Sequence, residues 1–210
     1  NKKFYNSQGL YGENTLTDNL LAVHFGLVEP QNQQKVHNQI VNIIEVKNNG
    51  HLSTGLIGTQ WLMRTLSNIG RPDLAYRIAS QKTYPSWGYM IENGATTIWE
   101  LWNGNTAAPK MNSQNHVMML GDLMIWYYEN LLGIKSDFNN PGFKQIIMKP
   151  ETASLNSASG EYKSIRGLIK SNWKKSGKSF NWNITVPANA KAIVYVPAAS
   201  ADKVNEGKKK

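Results

Sequence analysis

The sequence predicts a helical unit followed by a β unit, because the period of its apolar residues changes along the chain. In the first two-thirds of the 210 residues, apolar side chains recur every three or four positions, as in amphipathic helices. After Pro141 the period becomes two, which is typical of strands. Helices followed by a run of strands favour two segregated units, so we predict one domain over residues 1–137 and a second over 138–210.

Three of the five predicted helices are identified by an apolar stripe; in the helix over residues 31–47 it consists of Val36, Ile40, Ile43 and Ile44. The predicted helices cover residues 17–25, 31–47, 54–69, 73–82 and 114–132. Gly50 suits a left-handed cap, and Pro72 suits a first helical turn. In the last helix, the stripe expected to face the core consists of Val117, Leu120, Met124, Tyr128 and Leu131.

The β unit shows two strand patterns and one turn. Trp182, Ile184 and Val186 alternate with polar residues, which predicts a half-buried strand. The four apolar residues at 193–196 predict a strand that is buried on both faces. Lys174 to Lys178, "KKSGK", reads as the turn of a hairpin.

Composition excludes several classes of protein. The chain has no cysteine, which excludes disulfides and thiolate chemistry, and no apolar run approaches the roughly 18 residues of a membrane span. Its first residues do not resemble a signal peptide. The net charge of +9 raises the alternative of a nucleic-acid binder, whose binding would depend steeply on salt. Because the basic residues are spread thinly before a C-terminal cluster, we interpret them as a solvated face and a tail.

The irregular segment from Lys82 to Ser113 is the main candidate for a functional site, since long loops in compact domains are usually functional or disordered. Its stretch "GATTIWELWNG" places one carboxylate, Glu100, between Trp99 and Trp102. Tryptophan faces suit sugar rings, and a carboxylate among them can activate a water molecule. Glu92 is the only other acid of this segment. The structural alternative is that backbone amides or an arginine satisfy Glu100.

The other candidate residues have two readings each. Trp87, in "YPSWGYM", is either a loop anchor or a sugar platform, and His116 either caps a helix or binds a ligand. The four histidines are far apart and fit no metal-ligand spacing. The glycines of "GLIG", Gly55 and Gly58, favour close helix packing over a phosphate loop.

Beyond these local readings, the sequence resembles a known family. The segments "HLSTGLIGTQWLMRTLSNIGRPDLAYRIASQKTYPSWGYMIENGATTIWELWNG" and "SQNHVMMLGDLMIWYYENLLGI" resemble the C-terminal part of bacterial α-L-rhamnosidases, the inverting enzymes of glycoside hydrolase family 78. The similarity extends from about Tyr11 to Pro197. It implies the C-terminal helices of an (α/α)6 catalytic barrel followed by an antiparallel β-sandwich, which we expect to be truncated at Lys210.

The resemblance also implies roles for individual residues. The family's general base is the glutamate of "TTIWE", which falls on Glu100, and the histidine of "NH", here His116, is expected to contact rhamnose. Trp87 and Trp102 resemble wall positions of the sugar pocket. The arginine that is common after "WE" is replaced by Leu101 in this sequence.

What the resemblance does not supply is the general acid, because no segment of the chain matches that part of the family. We therefore expect a fragment whose upstream remainder completes the barrel, and which alone hydrolyses nothing. The expected substrate is a rhamnose-containing carbohydrate, with no metal, organic cofactor, nucleic acid or membrane required. Family resemblance points to a periplasmic or extracellular location. The alternative is a non-catalytic carbohydrate-binding module that retains the aromatic pocket.

Overall fold

Six α-helices form the first part of the chain in the computed structural model, which describes residues 3–6, 9–111 and 113–207. They are α1 (Leu16–His24), α2 (Gln33–Asn42), α3 (Leu56–Asn68), α4 (Pro72–Ala79), α5 (Trp87–Glu92) and α6 (Met118–Trp126). Contacts divide the chain into two units, Asn1–Trp126 and Tyr127–Lys210. The predicted boundary between 137 and 138 lies further along the chain and remains a prediction.

α3 makes the central contacts among the described helices. α3 packs against both α1 and α6, while α2 packs on α1 and α4 packs on α3. A capping box begins α1: Asp18 N donates to Thr15 Oγ1, and Thr15 N donates to Asp18 Oδ2, both at 3.1 Å. Gly58 lets α3 approach α1, because a Cβ there would lie 2.3 Å from Thr17 Oγ1. This confirms close packing as the reason for the glycine.

Most sequence-based helix predictions are confirmed with shifted or shorter bounds. The predicted stripe of Val36, Ile40, Ile43 and Ile44 is buried, and α2 continues as a π-helical turn over Ile43–Lys47. Gly50 follows with a φ of 80°, as expected of a left-handed cap. Pro72 occupies the first turn of α4. Among the described residues, no helix is both long and apolar enough to cross a membrane.

The prediction for the last helix is wrong in its start and in its buried face. α6 begins at Met118 rather than at residue 114, because the preceding residues pair with another loop segment. Its buried residues are Met119, Asp122, Leu123 and Trp126. Of the predicted stripe, Leu131 is buried, whereas Val117 and Met124 are 66% and 42% exposed. α6 is apolar on nearly every side, so its sequence period does not identify the face that packs inward.

Six strands form two three-stranded sheets in the described part of the second unit. They are β1 (Ile134–Ser136), β2 (Gln145–Met148), β3 (Ser157–Ser164), β4 (Gly167–Ser176), β5 (Ser179–Thr185) and β6 (Lys191–Val194). The sheet orders are β1-β2-β6 and β3-β4-β5, and every pair is antiparallel except β2 with β6. Their core consists of Leu132, Ile134, Ile146, Met148 and Ile169. The predicted class, helices followed by a β-sandwich, is confirmed.

Two local predictions for the β unit have different outcomes. The hairpin is confirmed, since Gly177 adopts a φ of 57° between β4 and β5. The expectation that 193–196 is buried on both faces is wrong, because Ile193 and Val194 are 41% and 37% exposed. β6 lies at the edge of its three-stranded sheet, where it pairs only with β2.

Candidate active site

The candidate site is built from two loop segments that run side by side before α6. Glu100 N donates to Ser113 O at 2.8 Å, and His116 N donates to Ile98 O at 2.7 Å. Thr97 Oγ1 adds a hydrogen bond to Gln114 O. These contacts join "TTIWE" to "SQNH", so residues that are distant in sequence become neighbours.

The Glu100 carboxylate is anchored by the same pairing. Ser113 N donates to Glu100 Oε2 at 3.0 Å, which orients the side chain with a backbone donor. The side chain is 40% exposed. A carboxylate that is held at one oxygen and open to solvent can accept a proton from a bound water.

His116 lies beside this carboxylate. Its Nδ1 atom is 3.9 Å from Glu100 Oε2, beyond the usual hydrogen-bonding distance of about 3.2 Å. The side chain is 17% exposed, and its Nε2 atom is buried without a hydrogen-bond partner among the described residues. Only the backbone of His116, and not its ring, pairs with the neighbouring loop segment. A buried nitrogen of this kind costs about 1–3 kcal/mol unless a ligand satisfies it.

The three tryptophans of this region are largely structural anchors. Trp87 Nε1 donates to Met119 O at 2.9 Å, and Trp102 Nε1 donates to Thr54 O at 2.8 Å. Their rings meet edge to face at 5.3 Å. Trp87 is only 5% exposed, so most of its ring surface packs against the protein, as expected of a loop anchor. Trp102 is half-buried and presents more ring area.

Trp99 fills the interior of the loop itself. It is 7% exposed, and the backbone of Gly104 lies directly on its indole. A Cβ at Gly104 would be 2.6 Å from Trp99 Cγ. Burial of Trp99 in turn fixes the backbone from which Glu100 projects.

Glu92, the second acid of the segment, lies in a different setting. It ends α5 and forms a surface ion pair with Lys82 at 2.8 Å, with its side chain 53% exposed. The hydrogen bond from Lys82 lowers the pKa of Glu92, whereas a general acid needs a raised pKa. No group of three potential metal ligands occurs among the described residues.

Sequence reasoning missed Ser113 as a contributor to this site. Its backbone holds Glu100, and backbone pairing between loops leaves no signature in the residue types. In the helices, it also missed the ion pair of Arg64 and Asp122 at 2.6 Å, which joins α3 to α6 and in which the Asp122 side chain is only 3% exposed.

Two family models match successive parts of the chain. Residues 1–131 match the bacterial alpha-L-rhamnosidase six-hairpin glycosidase domain, and residues 133–210 match the bacterial alpha-L-rhamnosidase C-terminal domain. The chain therefore belongs to the bacterial alpha-L-rhamnosidase family.

Curated relatives and solved structures agree. An alpha-L-rhamnosidase of Streptomyces avermitilis is 34% identical over 204 residues, covering 94% of this chain and 19% of the relative. One from Alteromonas sp. is 37% identical over 193 residues, covering 89% of this chain and 20% of the relative. The crystal structure of the Streptomyces avermitilis enzyme complexed with L-rhamnose aligns with a TM-score of 0.88 and 32% identity, covering 96% of this chain and 20% of that one.

A second solved structure, alpha-L-rhamnosidase from Dictyoglumus thermophilum, aligns with a TM-score of 0.87 and 35% identity over 96% of this chain and 23% of that one. The chain thus spans about a fifth of the length of the relatives that it matches.

Proposed function

We propose that this chain supplies the general base and part of the sugar pocket of an inverting α-L-rhamnosidase. The observation that carries the proposal is the pairing of a solvent-accessible, backbone-anchored carboxylate with a buried, unpartnered imidazole nitrogen. Glu100 provides the first group and His116 the second. The proposal of a rhamnoside as substrate is supported by relatives named alpha-L-rhamnosidase, one of them complexed with L-rhamnose.

In the proposed reaction, Glu100 takes a proton from a water molecule as the water oxygen bonds to the anomeric carbon of rhamnose. The bond from that carbon to the glycosidic oxygen breaks, and an acid from another part of the enzyme protonates the leaving oxygen. Attack from the opposite face inverts the anomeric configuration. Neither a metal nor an organic cofactor is required by this chemistry.

His116 and the two tryptophans would hold the sugar. A rhamnose hydroxyl at His116 Nε2 would satisfy the buried nitrogen and place the ring beside Glu100. Trp102 would offer its partly exposed ring as a wall of the pocket. Trp87, which is buried against it, would hold that wall in place and contribute an edge.

The remainder of the catalytic barrel, including the acid, is the proposed partner of this chain. Val117, directly before α6, and Met124, within it, expose apolar side chains. Additional helices would cover such a surface in the complete catalytic domain.

The test compares Glu100→Gln with Glu92→Gln in the enzyme that contains this chain. General-base assistance typically contributes 10²–10⁴-fold, so E100Q should lose turnover by about that factor while its rhamnose affinity survives. E92Q, which removes a surface ion pair, should keep both. The first rhamnose released from an α-rhamnoside should be the β-anomer, as followed by NMR.

The 210-residue chain alone should release no rhamnose from an aryl rhamnoside. Turnover of E100Q within about tenfold of the wild type would remove Glu100 from the role of base. If the complete protein binds rhamnose but hydrolyses no rhamnoside, the alternative function, a carbohydrate-binding module, is favoured over a glycosidase.

A further inference from the structure

Nearly all of the excess positive charge of the chain belongs to the β unit. Of the 23 lysines and arginines, 14 follow Trp126, against 6 of the 14 acidic residues. The β unit therefore holds eight of the nine excess cations, and the helical unit is almost neutral. A charge excess confined to one unit attracts anionic ligands to that unit.

A cavity lies in this basic unit, at the point where β2 and β6 begin side by side. It encloses about 440 Å³, within the roughly 300–1,000 Å³ typical of small-molecule sites. Its lining residues are Asn140, Lys144, Gln145, Ala188, Asn189, Ala190 and Lys191. Of the described residues that line it, two are cationic, three are carboxamides and none is acidic or aromatic.

The backbone fixes the two lysines relative to each other. Gln145 is paired with Lys191 in the parallel register of β2 and β6, and Lys191 N donates to Lys144 O at 3.0 Å. Both side chains are exposed and leave neighbouring strands next to the same cavity. Because strand pairing sets the spacing of their backbones, the two lysines occupy neighbouring positions beside the same cavity.

The carboxamides are oriented by a nearby acid. Asp137 Oδ2 accepts from Asn140 Nδ2 at 2.8 Å and from Gln145 Nε2 at 2.7 Å. The hydrogen bond from Asn140 is the main reason that the pKa of Asp137 is lowered, so this carboxylate stays charged. Its role is to hold both amides in one orientation beside the cavity.

Arg166 adds a third cation next to the lining. Arg166 Nη1 donates to Asn189 O at 3.4 Å, and Arg166 Nε donates to Gly142 O at 3.1 Å, so the guanidinium lies at the wall that Asn189 contributes. Two lysines therefore line the cavity, and one further cation and one acid, Arg166 and Asp137, contact its lining residues. Since no ring lines it, a ligand would be recognised by charge and hydrogen bonds and not by stacking.

We propose that this cavity is a subsite for an anionic saccharide, a sugar that bears a carboxylate or sulfate group. Lys144 and Lys191 bind the anionic group, and the carboxamides of Gln145 and Asn189 bind hydroxyls. The inference depends on the proposed function in one respect, namely that the ligand is a saccharide. It extends the expected substrate from a neutral rhamnoside to a carbohydrate in which rhamnose stands among acidic sugars.

The experiment measures binding of trigalacturonate to the enzyme that contains this chain by calorimetry, with the methyl ester of the same trisaccharide as a neutral match. A sulfated oligosaccharide of equal length distinguishes sulfate from carboxylate as the preferred group. None of these ligands contains rhamnose, so the result is independent of Glu100 and His116. A short DNA duplex, compared at the same salt concentration, tests the nucleic-acid alternative.

The variants separate this site from net charge alone. K144Q/K191Q should raise the Kd for the anionic trisaccharide by roughly tenfold or more, because it removes two charge-assisted hydrogen bonds. K144R/K191R should retain most of the binding. The control K174Q/K178Q removes the same charge from exposed lysines at the β4–β5 hairpin and should leave the Kd within about twofold.

Equal losses in K144Q/K191Q and in the hairpin control would overturn the proposal, since net charge would then explain the binding. So would equal affinity for the methyl ester, or tighter binding of DNA that the cavity variant does not weaken. Failure of rhamnose binding elsewhere on the chain would affect the proposed function and leave these comparisons unchanged.

Discussion

Replacement of His116 is the sharpest test of the candidate site, because ligand binding and structural support predict different results. In the structure, His116 Nε2 is buried without a partner among the described residues, and Nδ1 is 3.9 Å from the Glu100 carboxylate. The ring therefore contributes little hydrogen-bonding energy before a ligand arrives. Replacing it with phenylalanine, His116→Phe, keeps the ring volume and removes both nitrogens.

The magnitude follows from the single hydrogen bond that Nε2 would donate to, or accept from, a sugar hydroxyl. Loss of one buried bond costs about 1–3 kcal/mol, which corresponds to a rise of roughly 5–150-fold in the Kd for L-rhamnose. The free energy of unfolding should fall by less than about 1 kcal/mol, because the removed nitrogen was unsatisfied. Calorimetry with L-rhamnose and urea unfolding, both on the enzyme that contains this chain, provide the two values.

The opposite pattern would refute this reasoning. If H116F binds rhamnose within about threefold of the wild type and loses more than about 1 kcal/mol of stability, the histidine is a structural residue of the loop. His116→Asn is a useful second variant, because it restores a donor and an acceptor and should recover part of the affinity. Recovery by asparagine but not by phenylalanine would identify the hydrogen bond as the cause.

Three further predictions concern the scaffold. Arg64→Ala should destabilise the first unit by about 3–5 kcal/mol, because it removes the ion-pair partner of the nearly buried Asp122 carboxylate. Urea unfolding followed by tryptophan fluorescence measures this, and a loss under about 1 kcal/mol would contradict it. Gly104→Ala should cost about 1–3 kcal/mol and reduce turnover because its Cβ meets the Trp99 ring, whereas Gly121→Ala, with open space around it, should be neutral or stabilising. The hydrogen bond from Arg71 lowers the pKa of Glu45 below 4.5, so Glu45→Gln should reduce Tm most above that pH. The difference in Tm between wild type and variant should disappear as the pH falls through the lower folded-state pKa of Glu45. A difference in Tm that does not depend on pH would contradict this.

Local sequence patterns predicted most of the helical unit and the hairpin of the β unit. They succeeded where one period dominates, as in the α2 stripe, and where a residue type is tied to a backbone conformation, as at Gly50 and Gly177. They failed at α6, because a helix that is apolar all round has no preferred inward face. They failed again at β6, because a run of apolar residues does not distinguish an edge strand from a central one.

For the candidate site, residue types indicated Glu100 and its aromatic neighbours, since an acid between two tryptophans is a local pattern. Resemblance to a family, rather than spacing, assigned a ligand role to His116. The residue types do not predict that Ser113 N donates to Glu100, or that Trp87 and Trp102 donate to backbone carbonyls. Those contacts join residues up to 48 positions apart.

The sequence by itself determined that helices precede strands, where the β4–β5 turn falls, and that a carboxylate lies between two tryptophans in an irregular segment. These features depend on neighbours within a few residues, whose preferences add up locally. Only the tertiary structure decided that "TTIWE" and "SQNH" lie side by side, that His116 Nε2 is buried, and that Lys144 and Lys191 share a cavity. Each of these depends on which backbone groups pair across long loops, and every residue carries the same backbone donor and acceptor.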